Sequence, residues 1–199
     1  DSGGTVTLET LVWTNDTTRA TALTTQDGVL VKSGATTRLY LGTVRASAAN
    51  QTEDSAAKRF CWNMYGRVPR KMYATFTATR TTTSTSYAEV NSEIRLGFVL
   101  GLSLDSQTFG ATGTAYPSAD VQQCGAGVGI DGATVLTASQ GHGQYTDAVF
   151  GFGCSGESYP GIGYHYATFL GRGQTGNAVN YYHNEASWTA TRLWGRVLA

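Results

Sequence analysis

The chain of 199 residues carries 14 lysines and arginines against 14 aspartates and glutamates, so its formal net charge at pH 7 is zero. A balanced charge lacks the positive field behind most non-specific nucleic-acid affinity, and nucleic acid is therefore not an expected partner. No run of eighteen apolar residues and no signal peptide occur, so we expect no membrane span, and the length favours one domain over residues 1–199.

The first part of the chain opens on a glycine-rich tetrapeptide, DSGG, which is typical of a flexible joint. We therefore expect the chain to be a C-terminal fragment of a longer protein. The following stretch TVTLETLVW (residues 5–13) alternates apolar and polar residues, as does RLYLGTVR (38–45), and both predict strands. EIRLGFVLGL (93–102) predicts the most buried strand.

One segment departs from this pattern, TEDSAAKRFCWNMYGRVPRKM (residues 52–72), where basic and aromatic residues crowd together. Asn50 followed by Glu53 resembles a capping box, and Ala56, Phe60 and Met64 recur at helical spacing. The sequence therefore predicts one amphipathic helix at about residues 51–65 that covers an end or edge of a sheet. Because packing of this helix against a sheet already explains the spacing of the aromatic residues, it is favoured over a nucleic-acid binding site.

The rest of the chain predicts short strands separated by glycine-containing turns such as QDG (26–28) and IDG (130–132). A threonine-rich tract at residues 79–87 is typical of an exposed edge strand. The expected fold is all-β, a two-sheet antiparallel β-sandwich of the jelly-roll type. The odd count of three cysteines predicts buried thiols, with a Cys124–Cys154 bridge left open.

The sequence contains no convincing motif for cofactor or metal binding, so we expect no cofactor and no metal. GFGCSG (151–156) matches a dinucleotide fingerprint in spacing but leads towards Pro160 and further glycine rather than a helix. The three histidines match no common zinc spacing, and no nucleophile elbow occurs. A hidden carboxylate pair for glycoside hydrolysis stays open, since several acids could meet in space: Asp105, Asp120, Asp131, Asp147, Glu157 and Glu185.

Aromatic residues give the strongest hint of a contact surface. In YHY (164–166) and YYH (181–183) neighbouring side chains must point to opposite faces of a strand, so one ring in each must leave the core. Outward tyrosine and tryptophan suit sugar stacking or a subunit interface. The candidate contacts are Tyr159, Tyr164, Tyr166, Tyr181, Tyr182, His183 and Trp188, together with the basic residues Arg67, Arg70 and Lys71.

Three segments, residues 38–72, YPGIGYHYATFL (159–170) and the terminal WGRVLA (194–199), resemble a β-rich domain of tailed-bacteriophage virion structural proteins, of the fibre or head-decoration type. The resemblance extends over most of the chain from about residue 30, and it assigns no catalytic residues. It implies a surface module of the virion, commonly homotrimeric, which binds other virion proteins.

The expected function is thus structural and adhesive, without catalysis, on the particle surface and in contact with host-surface glycan. Two alternatives remain at this point: a tailspike-like glycan hydrolase or esterase, and a free-standing glycan-binding lectin.

Overall fold

The computed structural model describes residues 4, 6–118, 122–143, 149–183 and 189–199, with side chains for all of these except 122 and 141–143. Within these residues the protein is all-β, as predicted, and contains no α-helix. The strands before residue 90 are β1 (Trp13–Asn15), β2 (Thr18–Arg19), β3 (Leu23–Gln26), β4 (Val29–Lys32), β5 (Ala35–Leu39), β6 (Gly42–Val44), β7 (Ala46–Ala48), β8 (Gln51–Thr52), β9 (Lys58–Arg59), β10 (Cys61–Asn63), β11 (Pro69–Thr75), β12 (Arg80–Thr82) and β13 (Ala88–Glu89).

Most of the later strands are longer, and together they build most of the sandwich. They are β14 (Leu96–Leu100), β15 (Gln107–Pro117), β16 (Gln122–Ile130), β17 (Val135–Gly143), β18 (Phe150–Ser158), β19 (Gly163–Gly173), β20 (Val179–Tyr181) and β21 (Arg192–Leu198). A 3-10 turn at Ser92–Ile94 precedes β14, and the Asn91 side chain accepts a hydrogen bond from the Glu93 N–H to cap it.

Two six-stranded sheets face each other. The front sheet has the order β11-β21-β15-β20-β12, with β18 also paired to β15, and the back sheet has the order β17-β16-β19-β14-β9, with β13 also paired to β19. The described strand pairs are antiparallel except for β9 with β14. This arrangement is consistent with the predicted sandwich.

The core lies between the sheets and is held by aromatic rings from both. Phe98 of the back sheet lies 5.1 Å from Phe109 of the front sheet, and Phe169 lies 5.7 Å from Phe152 and 5.0 Å from Tyr181, measured between ring centroids. Such tilted and edge-on pairs stabilise beyond the burial of their area. All five residues of β14 are buried, as its sequence predicts.

The predicted turns and edge strand are also confirmed. Asp27 and Asp131 have φ of 50° and 54°, and each is followed by a glycine with positive φ, which is the conformation that Asp-Gly turns favour. β12, within the threonine-rich tract, is an edge strand of the front sheet. In the described part of the chain, no helix is long and apolar enough to cross a membrane.

The helix predicted at residues 51–65 is wrong, since this stretch forms β8, β9 and β10 instead. Phe60 and Trp62 are buried and Met64 is partly buried, while Asn63 and Tyr65 between and beyond them are exposed. This is the two-residue period of a strand. β10 pairs with β6, and the backbone of Phe60 is bonded to Glu53 and Arg45.

The strand predicted at residues 5–13 is wrong for most of its length. Residues 6–12 have no strand, and Val6, Leu8 and Val12 are 96%, 81% and 77% exposed. Apolar alternation builds a strand only where another strand offers hydrogen bonds and a face to bury, and among the described residues no strand pairs with residues 6–12.

The three cysteines are free in the structure, so the Cys124–Cys154 bridge is not formed. Cys124 is buried as predicted, whereas Cys61 and Cys154 are only half-buried. Burial raises the pKa of the Cys124 thiol to about 12 and also raises the pKa of Cys154.

Candidate functional site

An open groove lies on the outer face of the front sheet. It encloses about 380 Å³ and is built on β11, β21 and β15. Strand register aligns its outward side chains in three rows, namely Lys71 with Arg196 and Thr108, Tyr73 with Trp194 and Gly110, and Thr75 with Arg192 and Thr112. We call these strands' outer surface the platform groove.

A missing side chain gives Trp194 its place in the groove. A Cβ on Gly110 would lie 2.3 Å from Cζ2 of Trp194 and 2.6 Å from the Cys154 carbonyl oxygen, so the indole rests directly on the backbone of β15. The ring is half-buried, and Tyr73 in the same row is 55% exposed. The two residues are directly opposed on adjacent strands and face the same side of the sheet, so each offers a ring on which a sugar could stack.

Three cations surround these rings, and all three are exposed: Lys71, Arg192 and Arg196. The Arg192 guanidinium lies 5.8 Å from the centroid of the Tyr73 ring. No described carboxylate lies within ion-pair distance of any of the three cations. Among the described residues, nine of the fourteen lysines and arginines do hold such a partner. The platform groove is therefore a local excess of positive charge on a neutral chain.

The basic residues predicted as contacts divide between structure and surface. The Arg67 Nη1 donates to Asp105 Oδ1 at 2.6 Å, and the Arg70 Nη2 donates to Asp54 Oδ2 at 2.6 Å, so both are engaged within the chain. Lys71 alone of the three lies in the platform groove.

Tyr164 and Tyr166 lie on the outer face of the back sheet, and His165 between them is buried, so the predicted alternation is confirmed. Each tyrosine is covered by an arginine, with Arg45 3.7 Å from the Tyr164 ring and Arg95 4.5 Å from the Tyr166 ring. Burial raises the pKa of Tyr164. Both rings are half-buried, as Trp194 is, whereas Tyr73 of the platform groove is exposed.

The expected contact role of Tyr181 is wrong, because Tyr181 is fully buried in the core. Its hydroxyl donates to the Gly125 carbonyl at 2.5 Å, and burial raises its pKa strongly. Its neighbour Tyr182 turns outward and stacks on Tyr116 at 5.0 Å, and His183 Nδ1 lies 3.1 Å from the Thr79 hydroxyl.

Two further candidates complete the aromatic set. Tyr159 is 62% exposed just beyond β18, away from the lining of the platform groove. Trp188 lies outside the described residues.

Of the acids considered for a carboxylate pair, Asp105 and Asp131 have structural partners. Asp105 accepts the indole N–H of Trp62 at 3.0 Å as well as the Arg67 bond, and Asp131 Oδ2 lies 2.7 Å from Nδ1 of His165. Glu157 is exposed on β18, and the three remaining acids, Asp120, Asp147 and Glu185, lie outside the described residues.

The sequence prediction missed most of the platform groove, including Tyr73, Arg192, Trp194 and Arg196. One signal was present: in RLWGRVL the residues Arg192, Trp194 and Arg196 recur at every second position, so they share one face of a strand. Their meeting with Lys71 and Tyr73 depends on the pairing of β11 with β21, which no local pattern predicts.

Comparisons with known proteins add little to this geometry. No family model matches the sequence, and no curated protein matches it. Two solved structures of a CocE/NonD family hydrolase from Staphylococcus aureus are similar at 7% identity and a TM-score of 0.23. The match covers 86% of this chain but only 38% or 39% of the hydrolase chain, so this chain spans well under half of that protein, and so low a score carries no argument.

Proposed function

We propose that the chain is a surface module of a tailed-bacteriophage virion, with a structural and host-adhesion role and no catalysis. The observation that carries the adhesive part is the platform groove, where Trp194 and Tyr73 lie side by side on a regular sheet. Rings held on strands lose little freedom on binding, and the hydroxyls of Thr108 and Thr112 border them as hydrogen-bonding groups for a sugar.

Placement on a virion rests on the resemblance of residues 38–72, 159–170 and 194–199 to phage structural proteins. The composition suits an exterior module, since threonine and serine dominate the polar residues and only 14% of residues are charged. Neighbouring virion proteins are proposed as further partners on the same ground.

Homotrimer formation is part of the proposal, and the N-terminal arm (residues 6–48) supports it. In this arm only Val31 and Thr43 are buried, while Leu8, Leu39 and Val44 are 81%, 48% and 64% exposed. Identical neighbours would cover these apolar side chains, and the zero net charge of the chain removes the self-repulsion that opposes association of copies.

Glycan binding tests the adhesive role. On an array of host-surface saccharides we expect the 199-residue chain to bind a defined subset, Trp194→Ala to lose that binding, and Tyr159→Ala to retain it. Both variants truncate one ring, but only the first lies in the platform groove. Binding that survives Trp194→Ala, or an array without any bound saccharide, would refute adhesion through this surface.

Sedimentation velocity tests the trimer. We expect a species of three times the 21.1 kDa chain mass at micromolar concentration, and a shift towards monomer for Leu8→Ser. A monomer at every concentration would refute the assembly while leaving the adhesive role standing.

A further inference from the structure

We infer that the platform groove selects acidic saccharides, namely sugars that carry a carboxylate or a phosphate, rather than neutral ones. The inference rests on the proposed adhesive function and deepens it by naming the chemical class of the ligand. It depends on the cations around the rings rather than on the rings themselves.

Lys71 and Arg196 form a pair of opposed cations in the platform groove. They are directly opposed on the neighbouring strands β11 and β21, both are exposed, and no described carboxylate lies within ion-pair distance of either. Like charges opposed across a strand pair destabilise a sheet. A bound anion between the two side chains would relieve that repulsion, so the pair favours a ligand with negative charge.

The only acid in the same described row is too distant to compensate them. Glu157 lies opposite Thr108, which in turn lies opposite Arg196, so two strand spacings separate the acid from the arginine. Two spacings put about 9.6 Å between the two backbones, and the Glu157 carboxylate forms no ion pair with any described lysine or arginine. The cations therefore keep most of their attraction for a ligand.

The spacing along β21 fits a short saccharide. Arg192 and Arg196 flank Trp194 on the same face, each about 7 Å from it along the strand. A sugar ring stacked on the indole would place an attached acidic group within reach of either guanidinium. Arginine suits both acids, because its planar fork donates two parallel hydrogen bonds to a carboxylate or a phosphate.

The small number of cations in the groove also favours an acidic sugar over nucleic acid. The excess of cations is confined to three side chains, and the whole chain is neutral, which is too little to follow a polyanionic backbone. A compact acidic sugar needs only the local cluster.

The test uses the 199-residue chain and an array carrying uronic acid saccharides, phosphodiester-linked saccharides, the methyl esters or neutral counterparts of each, and an oligothymidylate strand. We expect bound spots to be acidic sugars, and the uronate and phosphodiester sets show which acid is preferred. Biolayer interferometry on the best acidic spot and its neutral counterpart then gives affinities in about 0.05 M and about 0.5 M NaCl, where screening differs strongly.

The variants are Lys71→Gln, Arg196→Gln and their double mutant, with Lys58→Gln as the control. Lys58→Gln removes the same charge but lies outside the platform groove, where its ammonium pairs with Glu53. We expect each single groove variant to weaken binding of the acidic sugar about three- to tenfold, the double variant to weaken it further, and the control to leave it unchanged. Thermal melting checks folding, and since the groove variants remove an opposed like-charge pair, their melting temperatures should not fall.

Three results would overturn the inference: neutral and acidic spots bound equally, acidic binding unaffected by the double variant, or preference for oligothymidylate. Neutral sugars bound through Trp194 would refute acid selection and leave the adhesive function intact. An array with no bound saccharide would refute both.

Discussion

Asp105 offers the sharpest test of how the segment at residues 52–72 is held. This carboxylate is buried beyond the end of β14, with its side chain 7% exposed, and it accepts hydrogen bonds from the Trp62 indole at 3.0 Å and from Arg67 at 2.6 Å. We expect Asp105→Ala to remove both bonds at once. Trp62 is 2% exposed, so its N–H would lose its partner in a dry environment.

The loss of stability expected for Asp105→Ala has two parts, one for each hydrogen-bond partner. A buried donor left without an acceptor costs about 1–3 kcal/mol. The Arg67 side chain is 26% exposed and regains water, so its share is nearer to that of a surface pair, about 1 kcal/mol. Asp105→Ala should therefore lower the free energy of unfolding by about 2–4 kcal/mol.

A double-mutant cycle isolates the indole. Trp62→Phe keeps an aromatic ring but has no N–H, so in that background Asp105→Ala should cost only the Arg67 share. Urea unfolding at pH 7, followed by far-ultraviolet circular dichroism, should give a coupling energy of about 1–3 kcal/mol. Equal costs of Asp105→Ala in the two backgrounds would refute the reasoning, since the buried indole bond would then contribute nothing.

Three further changes probe the fold and the groove. Gly110→Ala forces a methyl group against Trp194 and the Cys154 carbonyl and should lower the free energy of unfolding, measured in urea, by about 1–3 kcal/mol. In the control Gly151→Ala, in the same sheet, the methyl group meets nothing within 4 Å, and the free energy of unfolding should change by less than about 0.5 kcal/mol. Similar effects of the two variants would contradict the close contact between the indole and β15. Tyr181→Phe loses a buried hydrogen bond and should cost about 1–2 kcal/mol by the same assay, while Tyr159→Phe at an exposed site should be nearly neutral; a neutral Tyr181→Phe would argue against its place in the core. Burial raises the pKa of the Cys124 thiol from 9.0 to about 12, so the thiol ionises in the unfolded chain at a lower pH than in the folded protein, and its contribution to stability is intact below pH 9 and declines between pH 9 and about 12. The melting temperature of Cys124→Ala should therefore fall less steeply over that pH range than that of the unchanged protein, and parallel slopes would contradict this.

Short-range patterns predicted those parts of the fold that depend on neighbours in sequence. β14 is an apolar run too hydrophobic to lie anywhere but the core, and Asp27 and Asp131 adopt the left-handed conformation that an Asp-Gly turn requires. The alternation in YHY likewise predicted that neighbouring side chains face opposite sides, and in the structure His165 faces the core while its two tyrosines face outward.

The helix at residues 51–65 failed because two periods coexist in the same residues. Phe60 and Met64 are four apart, which suits a helix, but Trp62 lies between them, and the set Phe60, Trp62 and Met64 also follows a strand. The apparent capping box was misleading as well. Glu53 bonds to Ser55 and Lys58 instead of to a helix N-terminus, and a β6 partner for β10 decides in favour of the strand.

The platform groove was beyond sequence reasoning for a different reason. The sequence of β21 alone indicates that Arg192, Trp194 and Arg196 share one face of a strand. Lys71 and Tyr73 lie far away in sequence and enter the groove only through the register of β11. Register between distant strands depends on the packing of the whole sheet.

The place of β21 in the front sheet also constrains how the protein is made. This strand follows every other strand in chain order, yet it lies between β11 and β15. During synthesis the facing edges of those two strands stay unpaired until β21 has left the ribosome, so the front sheet closes only after residue 198 has been made. Truncated products that end before residue 192 should therefore present two open edges to one another and aggregate, and nascent chains should depend on chaperones until that moment.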